Sequence, residues 1–248
     1  RECGIATFAA ALVQGMSEVC PPGSRIEVMI SAHGSEEIKL YNPSLVKSDI
    51  HEFTSNNYVQ AARYINRQNF GTVLLQFEYG IFPGSAILCM LRELKPTLIT
   101  TLHTVAPTMF EEYHAIMQQL ALNSHKLVVM TQTMKWTLNA FHGIPSRDVQ
   151  VIPHGVPDIP YQRLQGTPRQ VAFQGKKLIL SNGLIHGFKG IEYGITAMVE
   201  VHKRHPDAIY LIQVSCSYSI TMVISVLSTH DRASRIPLES ILVSTTNR

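Results

Sequence analysis

The sequence predicts an α/β fold built on a doubly wound, mostly parallel sheet, and three observations carry that prediction. Short apolar runs with a β-branched bias alternate with stretches of helical spacing along most of the chain. Gly, Pro and Ser turns punctuate the boundaries, and the connections leave room for right-handed helical crossovers. At 248 residues, 45% of them apolar and only 16% charged, the chain can bury a sizeable core.

The elements follow in order. Arg1 to Gly4 reads as a loop, and a helix is expected from Ala6 to about Gln14. A strand before that loop is expected but absent from the chain, which therefore reads as a fragment or a processed protein. Arg25 to Ile30 reads as a strand because turn residues Pro22, Gly23 and Ser24 precede a β-branched run. Ser55 to Gln68 reads as a helix, with Tyr58, Ala61, Ala62 and Ile65 on one face. Thr72 to Gln76 reads as a continuous buried run, as expected for a parallel strand covered on both faces. A helix at Ala86 to Leu94 and a strand at Thr97 to Thr101 come next. They are followed by a helix at Phe110 to Ala121 and a strand at Lys126 to Met130. Gln132 to Phe141 is helical and stops at His142-Gly143-Ile144-Pro145, a glycine-then-proline ending. A short strand, Asp148 to Ile152, closes the first region at Pro153.

A polar stretch from Pro157 to Gln174 reads as a linker, so the expected organisation is 1–158, a linker at 159–176, and a second region at 177–248. The second region opens with strand Lys177 to Leu180, loop Ser181 to Phe188, helix Gly190 to Lys203 and strand Ala208 to Ile212. After Val214 the βα rhythm fades into a serine-punctuated tail, expected to pack loosely, with one short strand at Thr221 to Leu227.

Composition narrows the function classes. A formal net charge of +3 without a basic stripe argues against a nucleic-acid partner. No apolar stretch approaches the ~20 residues a transmembrane helix needs. The scattered Cys3, Cys20, Cys89 and Cys216 form no C-x-x-C pair, which points to reduced thiols in a cytoplasmic protein without a zinc site. Eleven histidines fall in no metal-binding spacing, so neither metal nor cofactor is expected. The phosphate loop, the dinucleotide fingerprint and the nucleophile elbow of hydrolases are all missing.

Ligands of open parallel sheets bind beyond the carboxyl ends of the strands, and the chain's conspicuous polar residues fall there. Gly4 lies in the loop entering the first helix, and His33 and Gly34 follow the strand ending at Ile30. Glu78, Tyr79 and Gly80 follow Gln76, His103 follows Thr101, Thr131 follows Met130, and His154 with Gly155 follows Ile152. Asn182, Gly183, Lys189 and Gly190 occupy the loop after Leu180. Each residue also has a structural explanation. Glu78 suits a helix start, where a carboxylate gains ~0.3–1 kcal/mol. His103 suits a satisfied core histidine, His154 a turn, and Lys189 a solvated loop. Their joint position on one edge favours function. Lys189 before Gly190 would further suit a phosphate, since helix-start N–H groups already favour an anion. The basic run His202-Lys203-Arg204-His205 complements a helix C-terminus instead.

Five segments in order resemble the family-4 retaining glycosyltransferases of the GT-B fold. They are R-E-C-G-I-A-T-F from Arg1, L-Q-F-E-Y-G-I-F from Leu75, T-L-H-T-V from Thr101, V-I-P-H-G-V-P-D from Val151 and G-L-I-H-G-F-K-G-I-E from Gly183. The resemblance implies an acceptor-side Rossmann-like domain followed by part of a nucleotide-sugar domain. The partners it implies are a nucleoside-diphosphate sugar donor and an unidentified hydroxyl acceptor. It implies that Gly4 lies under the donor diphosphate, that Lys189 neutralises the leaving diphosphate, and that His103 contacts the donor sugar. Glu78 and Tyr79 would line the acceptor side, and His154 and Gly155 the floor of the cleft. The chain departs from the family pattern in three places. Phe77 stands where a histidine or asparagine often precedes the glutamate, and the loop Asn182 to Lys189 holds no arginine. Glu239 is the sole acidic residue after Asp231, where a spaced glutamate pair is expected. The expected function is hexosyl transfer with retention; the alternative is a non-catalytic α/β fragment acting as a binding module.

Overall fold

The computed structural model describes residues 4–31, 41–50, 52–82, 84–107, 111–156, 158, 160, 173–184, 189–215, 221–222 and 243–244. His33, Gly34, the 185–188 loop and most of the tail beyond Ser215 lie outside the described residues. The chain divides into two compact units, Cys3–Pro157 and Asp158–Arg248.

The first unit begins with helix α1 (Gly4–Val19), strand β1 (Val28–Ser31), strand β2 (Val46–Ile50) and helix α2 (Ser55–Arg67). It continues through β3 (Thr72–Phe77), α3 (Ile87–Glu93), β4 (Thr97–Leu102), α4 (Glu111–Asn123), β5 (Lys126–Val129), α5 (Gln132–His142) and β6 (Val149–Val151). All strand pairs are parallel: β1 with β2, and β3-β4-β5-β6 as a four-stranded sheet. Register runs Phe77 beside Leu102, and Val129 beside Val151, so the strands end together at one edge.

Local chemistry explains the helices. Thr54 caps α2 by accepting the Asn57 N–H at 3.3 Å, and the face Tyr58, Ala61, Ala62, Ile65 is buried. Thr131 caps α5 by accepting from the Met134 N–H at 3.1 Å, and Gly143 ends it in the left-handed region at φ 67°. The core joins Tyr58, Leu75, Phe77, Ile87, Leu102, Ile116, Met117, Leu120, Leu127, Val129 and Leu138. A part-buried hydrogen bond between the buried Thr100 Oγ1 and Ser124 Oγ, at 2.8 Å, ties β4 to the end of α4.

The second unit pairs β7 (Lys177–Leu184) in parallel with β8 (Ala208–Ser215) across α6 (Ile191–Arg204). Its core is Met198, Ala208, Tyr210 and Ile212, with Ile191, Ile195 and Val201 against them. Leu178, Ile179 and Leu180 of β7 remain exposed. Two dipeptide strands, β9 (Thr221–Met222) and β10 (Val243–Ser244), pair antiparallel.

Two expectations are corrected. Gly4 is the first residue of α1, not part of a loop, because Gly4 and Ile5 already follow the helical course. Asn182 and Gly183 belong to β7, since Asn182 pairs with Gln213 and Gly183 with Val214. Parallel pairing holds that segment extended where its S-N-G composition suggests a turn.

Candidate functional site

The first unit gathers its candidate groups where β3, β4 and β6 end. Because Phe77 and Leu102 are register partners, Glu78 and His103 leave the sheet side by side. The His103 N–H donates to the Phe77 carbonyl at 3.0 Å, which extends the ladder by one bond. The Glu78 carbonyl accepts from the N–H groups of Ile81 and Phe82, at 2.9 and 3.0 Å, closing the turn that carries Tyr79 and Gly80.

The Glu78 carboxylate accepts from the Thr104 hydroxyl at 2.6 Å, so the loops after β3 and β4 are tied by a charge-assisted bond. His103 Nε2 lies 3.1 Å from Gln76 Oε1. With Nε2–H donating there, Nδ1 carries the free lone pair. The half-buried imidazole is held below its ordinary pKa first by burial and also by the His154 charge, with the Glu78 charge opposing both.

Phe8, one turn into α1, joins the two histidines. Its ring stands edge-on to His103 at 5.1 Å and to His154 at 5.2 Å between centroids. The first turns of α1 therefore lie at the carboxyl edge of the sheet. His154 is exposed, and its Nδ1 donates to the Gly155 carbonyl at 3.1 Å.

The structure thus brings together Glu78, His103 and His154 of the expected residues, with Tyr79 and Gly80 on the adjoining turn. Tyr79 packs against Phe77 and Tyr113, at 5.1 and 4.6 Å between ring centroids. Burial first, then the Glu78 charge and Tyr113, push its phenol well above the ordinary tyrosine value. Thr131 follows β5 but has its oxygen engaged in capping α5.

Lys189, Gly190, Asn182 and Gly183 belong to the second unit. Lys189 is exposed beside Gly190, which caps α6 in the left-handed region at φ 62°. The carbonyl of Gly190 accepts from the N–H groups of Tyr193 and Gly194, at 3.1 and 3.2 Å, closing the first turn of α6.

Three contributors escaped the sequence reading: Phe8, Gln76 and Thr104. Gln76 carried a usable signal, a polar side chain inside the apolar run V-L-L-Q-F. Among the described residues, no group of three His, Cys, Asp or Glu could hold a metal ion. No described helix is long and apolar enough to cross a membrane.

Parallel strands alternating with helices, and polar loops at the carboxyl edge, define a GT-B-type α/β fold. The chain belongs to glycosyltransferase family 4, whose model matches residues 4–158. Solved structures of low identity share the fold. A glycosyltransferase from Rickettsia africae superposes with a TM-score of 0.58 at 15% identity, covering 86% of this chain and 56% of that one. MnaA of S. aureus, in a co-structure with UDP, gives 0.54 at 14% identity, covering 86% and 60%. A UDP-N-acetylglucosamine 2-epimerase, so described, from Listeria monocytogenes gives 0.52 at 14% identity, covering 86% and 59%. The chain thus spans somewhat more than half the length of these proteins. Among curated proteins, none matches the chain.

Proposed function

We propose that the chain acts in hexosyl transfer from a nucleoside-diphosphate sugar to a hydroxyl acceptor, with retention of configuration. The observation that carries this reading is the pair His103 and His154 against Phe8, with Glu78 leaving the sheet beside His103, in a chain of this family. The S. aureus neighbour was solved with UDP, which supports a nucleotide-sugar donor. The proposed organisation is an acceptor-side domain at 1–158, a linker at 159–176 and a donor region from 177. The proposed location is the cytoplasm, with Cys20 and Cys89 as free thiols.

In this reading the bond between the sugar anomeric carbon and the diphosphate oxygen breaks, and its electron pair leaves with the diphosphate. The acceptor oxygen bonds to the same carbon from the same face, and its proton passes to the departing phosphate oxygen. Lys189 and the α6 N–H groups neutralise the charge that grows on the diphosphate. Its pKa lowered by burial, His103 accepts a hydrogen bond from a sugar hydroxyl at Nδ1 without placing a second cation beside the developing positive carbon. In the same reading Gly4 at the α1 start would contact the diphosphate, and Glu78 and Tyr79 would orient the acceptor. Gly80, His154 and Gly155 would contribute to substrate binding on the first unit. Asn182, Gly183 and Gly190 would line the donor side, and Thr131 would present its hydroxyl hydrogen.

Calorimetric titration with UDP, GDP and ADP tests the reading, with wild type and Lys189→Ala in parallel. One nucleotide should bind, and about tenfold more weakly to the variant, as loss of a charge-assisted contact implies. No binding by any of them would overturn the enzyme reading and leave a non-catalytic binding module.

A further inference from the structure

The loop after β4 is held from two sides. On the β3 side, His103 donates its N–H to Phe77, and Thr104 donates its hydroxyl to Glu78. On the other side, His142 Nε2, from the last residue of α5, lies 2.9 Å from the Ala106 carbonyl. Since a carbonyl can only accept, His142 carries its proton on Nε2 and a lone pair on Nδ1. That Nδ1 is 3.0 Å from His114 Nδ1, so His114 must be the donor there. His114 Nε2 is left as an acceptor, and the Gln118 amide sits 3.1 Å from it. Every ring nitrogen of the pair is engaged, and the tautomer of one dictates that of the other.

His142 is buried at 3% exposure. A leucine would fill that space without the cost of burying a polar ring. A helix C-terminus would also favour a basic residue in solvent, but that does not account for a ring turned inward onto a loop carbonyl. We infer that His142 is a positioning residue, held in its tautomer by His114, that fixes the loop His103 to Ala106 and through it the His103 ring. The inference rests on the proposed reading for its functional consequence, and on the hydrogen-bond chain alone for its structural one.

The test uses the whole chain labelled with nitrogen-15. Long-range imidazole spectra should show His142 as the Nε2–H form and His114 as the Nδ1–H form; the reverse pairing would overturn the inference. In His142→Phe, exchange of the His103 amide should accelerate about tenfold relative to the Ile152 amide, which bonds Val129 on the far strand. His142→Gln, whose amide reaches the same carbonyl, should restore most of that protection. Equal acceleration at both amides would mean that His142 serves only stability, and would overturn the inference. Should His142→Phe not fold, His142→Asn carries the same comparison, because its shorter amide falls short of Ala106. Absence of nucleotide binding by the wild type would count against the transferase reading while leaving these readouts intact.

Discussion

The Phe8 ring meets His103 edge-on, 5.1 Å between centroids and 87° between planes, so an apolar helix residue covers one side of an imidazole on the sheet edge. Burial is the largest cause of the depressed His103 pKa. Phe8→Ala should therefore raise the His103 midpoint toward the ordinary ~6.5, read by NMR titration of the ring. Stability follows by linkage. As pH falls through ~6.5 the unfolded chain takes up its proton before folded His103 does, so wild-type stability declines on acidification. The decline should be smaller in Phe8→Ala. A midpoint that stayed put would show that Phe8 shields His103 from nothing.

The Glu78 charge opposes burial at His103. Removing it in Glu78→Gln should lower the His103 midpoint further, the opposite direction to Phe8→Ala. The same titration checks it, and a rise in the midpoint would sink the proposed coupling. Opposite signs in two variants of one pocket separate charge from burial more cleanly than any loss of activity.

Strands β4 and β5 were legible because neighbours on both sides favour apolar runs, as in Lys126 to Met130. In β3 only Leu75 and Phe77 are buried and Thr72 and Leu74 stay exposed, so the expected cover on both faces is not met there. Strand β2 escaped because only Val46 and Ile50 of V-K-S-D-I are buried, with Lys47 exposed between them. Its partner β1, not its own composition, makes it a strand. The position of Glu78, His103 and His154 at the carboxyl edge was legible since polar groups after apolar runs mark that edge. Phe8 was not, because an apolar residue in an apolar helix reads as core until its neighbours are known.

Gly194 of α6 faces Tyr210 of β8 with no room for a methyl group. A Cβ there would lie 2.7 Å from Tyr210 Cζ and 3.0 Å from Cε1. Helix propensity alone would make Gly194→Ala stabilising by ~1 kcal/mol. Overpacking a fixed aromatic costs about 1–3 kcal/mol, so the variant should be net destabilised or neutral. The Tyr210 hydroxyl also meets Ser181 Oγ at 2.7 Å, which holds the ring against moving aside. Chemical denaturation checks this, and Gly194→Ala with Tyr210→Leu should recover the loss. A stabilised single variant would show that the ring yields freely.

Tyr58 is fully buried in the first unit, its ring 6.4 Å from Phe82 between centroids, and its hydroxyl finds no hydrogen-bond partner among the described residues. An unsatisfied buried hydroxyl costs about 1–3 kcal/mol, whereas the ring itself contributes packing that phenylalanine would keep. Tyr58→Phe should therefore leave the fold intact and raise the midpoint of thermal unfolding. Burial pushes the Tyr58 pKa up to about 12. Between pH ~10 and that value the unfolded chain ionises while the folded one does not, so wild-type stability falls over this window. That part of the alkaline loss should vanish in Tyr58→Phe. Parallel melts of the two proteins at neutral and alkaline pH decide it: a variant less stable at neutral pH would mean that the hydroxyl has a partner after all.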